Sequence, residues 1–97
     1  MKVRILAAAS RDLLQGHAFY EKQKKGLGGY FLDSLFSDID SLAITAGIHA
    51  ICFGRYRRLL SKRFPFAAYY RVEEDRALVY AVLDCRRNPA WIRKRLG

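Results

Sequence analysis

The sequence predicts an α+β fold, in which a helical hairpin packs on one face of a small, mainly antiparallel sheet. The order is β-α-α-β-β-β, with a short C-terminal helix. Three observations predict it. The N-terminal half holds two stretches of helical apolar spacing, separated by Gly26-Leu27-Gly28-Gly29. The C-terminal half holds three strand-like runs separated by turn signals. Each helical stretch has one apolar face, and the sheet is the element available to cover it. The 97 residues, 52% of them hydrophobic, suffice for one domain with one core over residues 1–97 and argue against disorder.

Val3, Ile5 and Ala7 alternate with Lys2, Arg4 and Leu6, which predicts a short first strand. Ser10 is the expected N-cap of the next element, with Asp12 in its first turn complementing the helix dipole. That helix runs to about Lys24 with Leu13, Leu14, Ala18 and Tyr20 near one face. Gly16 inside it costs about 1 kcal/mol relative to Ala, a cost explained if another helix approaches closely there. The second helix spans Tyr30 to Ala46. Phe31, Leu32, Leu35, Ile39, Leu42, Ala43 and Ala46 line one side; Asp33, Ser34, Ser37, Asp38 and Ser41 line the other. Gly47 ends it.

The strands follow as Tyr56–Arg63, a break at Pro65, Phe66–Val72, the charged turn Glu73-Glu74-Asp75-Arg76, and Ala77–Cys85. The terminal helix is expected around Trp91 to Leu96. Alternation places Phe64, Phe66, Tyr70 and Tyr80 under the helices and leaves Tyr56, Tyr69 and Trp91 as candidates for exposure. Trp91 is expected to staple the terminal helix to the sheet. No element is left to cover the second sheet face.

Charge is divided unequally. Residues 1–48 carry 6 Lys/Arg against 5 Asp/Glu; residues 49–97 carry 12 against 4, so +8 of the net +9 lies in the sheet half. A sheet with arginine concentrated at its strand ends is suited to an anionic partner, whether nucleic acid or acidic protein. The two cysteines, Cys52 and Cys85, fall short of a disulfide framework or a metal-site spacing and are expected to be reduced and inert. His17 and His49 lie 32 residues apart with no acidic ligand cluster, so neither a metal nor a cofactor is expected. No stretch has the apolar length of a signal peptide or a membrane span, and a cytoplasmic protein is expected.

Several pieces occur in a specific order. They are Asp12-Leu13 with Phe19-Tyr20; Gly26-Leu27-Gly28; Tyr56-Arg57-Arg58; Phe64-Pro65-Phe66; Tyr70-Arg71-Val72; and Val82-Leu83-Asp84-Cys85-Arg86-Arg87-Asn88-Pro89. In this order and spacing the chain resembles the RelE/ParE superfamily of bacterial toxins, the toxic halves of type II toxin–antitoxin modules, over nearly its whole length. The resemblance implies one of two activities. ParE-like members, which include plasmid-stabilisation proteins, inhibit DNA gyrase by binding. RelE-like members cleave messenger RNA on the ribosome.

Cleavage through the ribose 2′-hydroxyl needs a base, cations for the phosphorane charge and an acid for the leaving oxygen. Arg58, Lys62 and Arg86 are the candidates to hold a scissile phosphate; Asp84 is the candidate base, and His49 is a distant alternative that no motif supports. Arg86 and Arg87 beside Asp84 hold its pKa low and weaken it in that role. Many RNA-cleaving relatives carry a late Tyr or His, which this chain lacks after Tyr80. The ParE-like reading therefore leads, with Arg57, Arg58, Lys62, Arg63, Arg86, Arg87 and Trp91 as candidate target-binding residues. A non-toxic nucleic-acid-binding module is the third reading. The resemblance also implies an acidic antitoxin. Its helix would meet Tyr30, Phe36 and Ile44, which lie off the main apolar row, and its extended stretch would meet the sheet at Arg71.

Overall fold

The computed structural model describes all residues, Met1–Gly97. Its elements are β1 (Lys2–Ile5), α1 (Ala7–Gln23), α2 (Leu27–Asp40), α3 (Leu42–Thr45), β2 (Ile51–Cys52), β3 (Tyr56–Leu60), β4 (Phe66–Glu73), β5 (Arg76–Asp84) and α4 (Pro89–Leu96). They form a five-stranded sheet in the order β1-β5-β4-β3-β2. All neighbours are antiparallel except β1 and β5, which run parallel; the α-helical hairpin carries the chain from β1 at one edge of the sheet to β2 at the other. The α+β fold class expected from the sequence is the one observed.

The hairpin packs on one sheet face. Leu13 and Tyr20 of α1, Phe31, Leu35 and Ile39 of α2, and Leu42 of α3 meet Phe66, Ala68, Tyr70, Ala77, Val79 and Val82. Gly16 serves the close approach that its position implied. A Cβ there would lie 2.5 Å from the Phe31 ring, inside van der Waals contact. Gly28 is constrained in the same way by the His17 carbonyl, at 2.7 Å from a built Cβ. The Glu21 carboxylate accepts from the Gly26 and Gly28 N–H groups at 2.9–3.1 Å, so the last turn of α1 caps the first turn of α2. Those bonds hold its pKa below the usual carboxylate value.

Local boundaries differ from expectation for identifiable reasons. Helix α1 begins at Ala7, because Ala7-Ala8-Ala9 is strong helix former and Leu6 already donates its N–H to Val79. Ser10 is therefore inside the helix and is not its cap. Leu14 and Ala18 are exposed, a turn away from the buried face. Helix α2 starts at Leu27 instead of Tyr30, under the Glu21 cap. The expected single helix to Ala46 breaks at Ser41, whose hydroxyl donates to the Asp38 carbonyl at 2.6 Å and competes with the backbone ladder. Ser34 and Asp38, expected on the solvent side, are buried. Asp38 accepts from the Ser61 hydroxyl (2.8 Å) and the Lys62 N–H (3.2 Å) and so fixes the turn after β3. That strand consequently ends at Leu60, short of Arg63. The two-residue β2 was not anticipated.

The second sheet face is covered, contrary to expectation. Helix α4 begins at Pro89, capped by the Asn88 side chain, which accepts from the Ala90 N–H at 2.8 Å. It places Ile92 and Leu96 against Tyr56, Ala67, Tyr69, Ala81 and Leu83. Tyr56 and Tyr69 are thus 4% and 0% exposed. Tyr56 donates its hydroxyl to the Leu96 carbonyl at 2.8 Å. A register shift between Tyr69 and Tyr70 leaves Tyr80 without a partner in β4. Before this bulge Ala77 and Val79 face the hairpin; after it Val82 does. Tyr80 turns to the α4 side, against Tyr56.

Strand β1 pairs β5 only as far as Val79, which leaves the remainder of β5 as an open edge. The Val82 N–H at that edge is satisfied by the buried carboxylate of Asp12 (3.0 Å), which also accepts from Arg95 of α4 at 2.7 and 2.8 Å. Asp12 therefore joins α1, β5 and α4. On the far side, Gly47 donates to the Tyr70 hydroxyl at 3.0 Å, the hydroxyl bonds His49 Nδ1, and Arg57 donates to the His49 carbonyl at 2.7 Å. The direction of the bond between the Tyr70 hydroxyl and His49 Nδ1 follows the imidazole tautomer. Burial and then the Arg57 charge push the His49 pKa below 6.5.

Two measurements check these ties. Asp12→Ala strands Arg95 and orphans the Val82 N–H, and it should cost about 3 kcal/mol in urea unfolding, with Arg95→Ala adding little on top. A loss below about 1 kcal/mol would mean that the carboxylate is not holding the three elements together. For His49 the depressed pKa makes the unfolded chain the better proton binder. Stability is therefore complete above pH 6.5 and declines as pH falls through the folded value. The urea midpoint should drop as pH falls below 6.5, and His49→Gln should lose most of that slope.

Candidate functional site

The sequence-predicted cations do not converge on one surface. Arg57 is committed to the His49 carbonyl on the hairpin side. Arg58 is exposed and pairs in register with Tyr69, on the α4 side. The Tyr69 hydroxyl there is buried without a hydrogen-bond partner, and burial pushes its pKa up. Lys62 and Arg63 sit in the turn between β3 and β4, beside α2. Arg71 lies 3.7 Å from Glu73 and over the Tyr80 ring, near the β4–β5 turn. Tyr30, Phe36 and Ile44 are 48%, 40% and 91% exposed, as the excess of apolar residues on the hairpin implied.

One group does assemble, at the end of β5. The Asp84 carboxylate accepts from the Arg86 N–H (2.8 Å), Arg86 Nε (3.0 Å) and Arg86 Nη2 (2.7 Å), so a single residue engages both its oxygens. The Arg86 hydrogen bonds hold the Asp84 pKa below the ordinary value against a smaller opposing effect of burial. Arg86 is neutralised by the same contact. Arg87 is left free, and its guanidinium stacks 3.6 Å above the Trp91 ring. Trp91 is 39% exposed, and Ile92 and Leu96 anchor α4 instead, so the expected staple role passes to them.

Between this group and α1 runs a groove of about 310 Å³. Its α1 wall is Asp12, Gln15, Gly16 and Phe19, and its opposite rim is Arg87 and Trp91, with Phe66 and Val82 below. Phe19 is 56% exposed, so two aromatics and one unpaired cation frame the opening. Gln15 and the outward position of Phe19 were not recognised from sequence. The signal was present in Phe19 standing one residue before the buried Tyr20, out of phase with the apolar row. Chemically the groove can stack a flat or apolar group between Phe19 and Trp91 and meet an anion with Arg87. Its carboxylate at the β5 end is a poor proton acceptor, because Asp84 already takes three hydrogen bonds from Arg86 across both oxygens.

No helix is long and apolar enough to cross a membrane. No cluster of three or more His, Cys, Asp or Glu side chains brings metal ligands together. Cys85 donates its thiol to the Pro65 carbonyl at 3.3 Å, and burial pushes the Cys52 thiol pKa up.

No protein-family model matches the sequence, and no curated protein matches it. Among solved structures, the chain is similar to one described as the chromosomal ParDE TA system from P. aeruginosa. The TM-score is 0.74 at 20% sequence identity, covering 84% of this chain and 92% of that chain. A likeness of this depth over most of both chains establishes that this protein has the fold of a ParDE toxin–antitoxin chain.

Proposed function

We propose that this chain is the toxin of a type II toxin–antitoxin module, a single domain that inhibits DNA gyrase by binding and is neutralised by an acidic antitoxin. Three features support the module: the likeness to a ParDE chain, the order of the motifs from Tyr56 to Pro89, and the net +9 charge. Tyr30, Phe36 and Ile44, exposed on the helical side, and Arg71 near the β4–β5 turn are the proposed antitoxin contacts. Arg58, Lys62, Arg63, Arg87 and Trp91 are the proposed target contacts. Arg57 and Arg86 are held by internal partners and serve chiefly to shape the surface.

The observation that carries the choice of inhibitor over ribonuclease is the Asp84–Arg86 fork. A general base needs an accessible oxygen that is not held by a cation and a pKa near the working pH. Asp84 has both oxygens engaged and a depressed pKa, and the arginine that would have steadied a scissile phosphate is spent on it. Tyr80 is no better placed as an acid, since its hydroxyl donates to Glu73 at 3.0 Å on the α4 side of the sheet.

Induced expression in bacteria should give filamentous cells and a DNA-damage response, and the purified chain should inhibit gyrase supercoiling. Asp84→Asn should leave that inhibition within about threefold, whereas a ribonuclease using Asp84 as base would lose ~10²–10⁴ in rate. Arg87→Ala and Trp91→Ala should each weaken inhibition without unfolding, because both side chains are exposed. Rapid arrest of translation with cleavage of ribosome-bound message, abolished in Asp84→Asn, would replace this reading with the RelE-like one. Harmless expression and no effect on gyrase would leave a nucleic-acid-binding module.

A further inference from the structure

A second, more polar cleft lies between α2 and the turn after β3. It measures about 240 Å³ and is lined by Ser34, Ser37, Asp38, Lys62 and Arg63. Asp38 has a structural task there, holding the turn through the Ser61 hydroxyl and the Lys62 N–H. Ser34 has none. It is 4% exposed, and its hydroxyl oxygen is buried without any hydrogen-bond partner. Buried hydroxyls left unsatisfied by protein groups are rare, and one that lines a cleft is open to a partner from solution. Lys62 and Arg63 are both exposed and neither takes part in a salt bridge. Arg63 lies 5.9 Å from the centre of the Tyr30 ring, which forms an aromatic shoulder beside the cleft.

The chemistry of the lining selects the ligand. Two cations face one carboxylate, so the lining carries a net single positive charge, which matches a monoanion. A phosphate dianion would be set against Asp38 and left partly uncompensated. Hydroxyl, ammonium and guanidinium are all donors, and a carboxylate has the lone pairs to accept from several at once. Lys62 and Arg63 are long and mobile in rotamer, so they can swing to admit a side chain to the Ser34 hydroxyl at the floor.

We propose that this cleft receives the carboxylate of a glutamate or aspartate from an acidic protein segment. Ser34 donates to it from below, Lys62 and Arg63 hold it from above, and a neighbouring residue of the segment rests on Tyr30. The inference rests on the antitoxin reading given above and deepens it. The partner neutralises by occupying two of the cations through which the target would be met.

The test uses the whole chain, labelled for NMR, and sodium acetate as the probe, with sodium phosphate and sodium chloride at matched ionic strength. Acetate should give saturable shifts at Ser34, Ser37, Lys62 and Arg63 where chloride gives none, and phosphate should bind more weakly. Ser34→Ala should lower acetate affinity on the order of tenfold, the worth of one charge-assisted hydrogen bond. It should also keep or raise the urea midpoint, because it removes an orphaned buried polar group. Acetate no better than chloride, phosphate tighter than acetate, or Ser34→Ala lowering stability with affinity unchanged would each overturn the proposal. A pull-down with the acidic protein encoded beside this gene separates the two readings. A partner retained equally by the wild type and by Ser34→Ala/Lys62→Ala sinks the cleft and leaves the antitoxin standing. Acetate binding as expected, with no acidic partner, sinks the antitoxin and the cleft's assigned occupant together, leaving only a bare carboxylate site.

Discussion

The structure depends on how one open hydrogen-bond donor is satisfied. Strand β5 is longer than its parallel neighbour β1, and a sheet edge that outruns its partner exposes N–H groups to whatever lies beside it. Asp12 answers for Val82 from within α1. In doing so it fixes the helix against the strand at a point where no backbone partner exists. Because the same carboxylate also takes Arg95, the position of α4 follows from the position of α1. Two cores on opposite faces of one sheet are thereby held in a single arrangement. A buried carboxylate used in this way does more to specify geometry than to add stability, since its desolvation offsets much of the attraction it gains.

The groove next to it inherits that arrangement. Its α1 wall and its Trp91 rim belong to elements that pack on different faces of the sheet, and the Asp12–Arg95 pair ties them together around the strand edge. The bulge at Tyr80 contributes as well. By shifting the alternation of β5 it turns Val82 toward the hairpin, and it sends Leu83 to the α4 side beside Ile92 and Leu96.

Much of the architecture was legible in residue order. Apolar rows at helical spacing, the glycines between them and the strand-like runs carried the hairpin-on-sheet fold, and Gly16 foretold the approach of Phe31. What was illegible is what depends on non-local partners. Asp12 beside Ser10 has the pattern of a capped helix start, and nothing local reveals a partner 83 residues away. The bulge reversed the expected facing of Tyr80, and a terminal helix with only Ile92 and Leu96 buried gave too thin an apolar stripe to announce a second core. The site was legible in composition and scattered in space. Adjacent residues on a strand point to opposite faces, so Arg57 and Arg58 could not act side by side. The free partner of the Arg86-Arg87 pair was decided by the Asp84 carboxylate.

The two outer edges of the sheet have a consequence for how copies of this molecule behave toward each other. At one margin β1 presents exposed Lys2 and Arg4, and at the other β2 offers only two residues of ladder. Neither is a good template for continuing the sheet into a neighbour. Molecules meeting margin to margin at β1 bring like charges together, on a chain already strongly cationic. Charge of this kind is felt over a Debye length of about 8 Å at physiological salt. The same excess of lysine and arginine that suits the proposed acidic partner therefore also sets identical molecules against one another, until added electrolyte screens it.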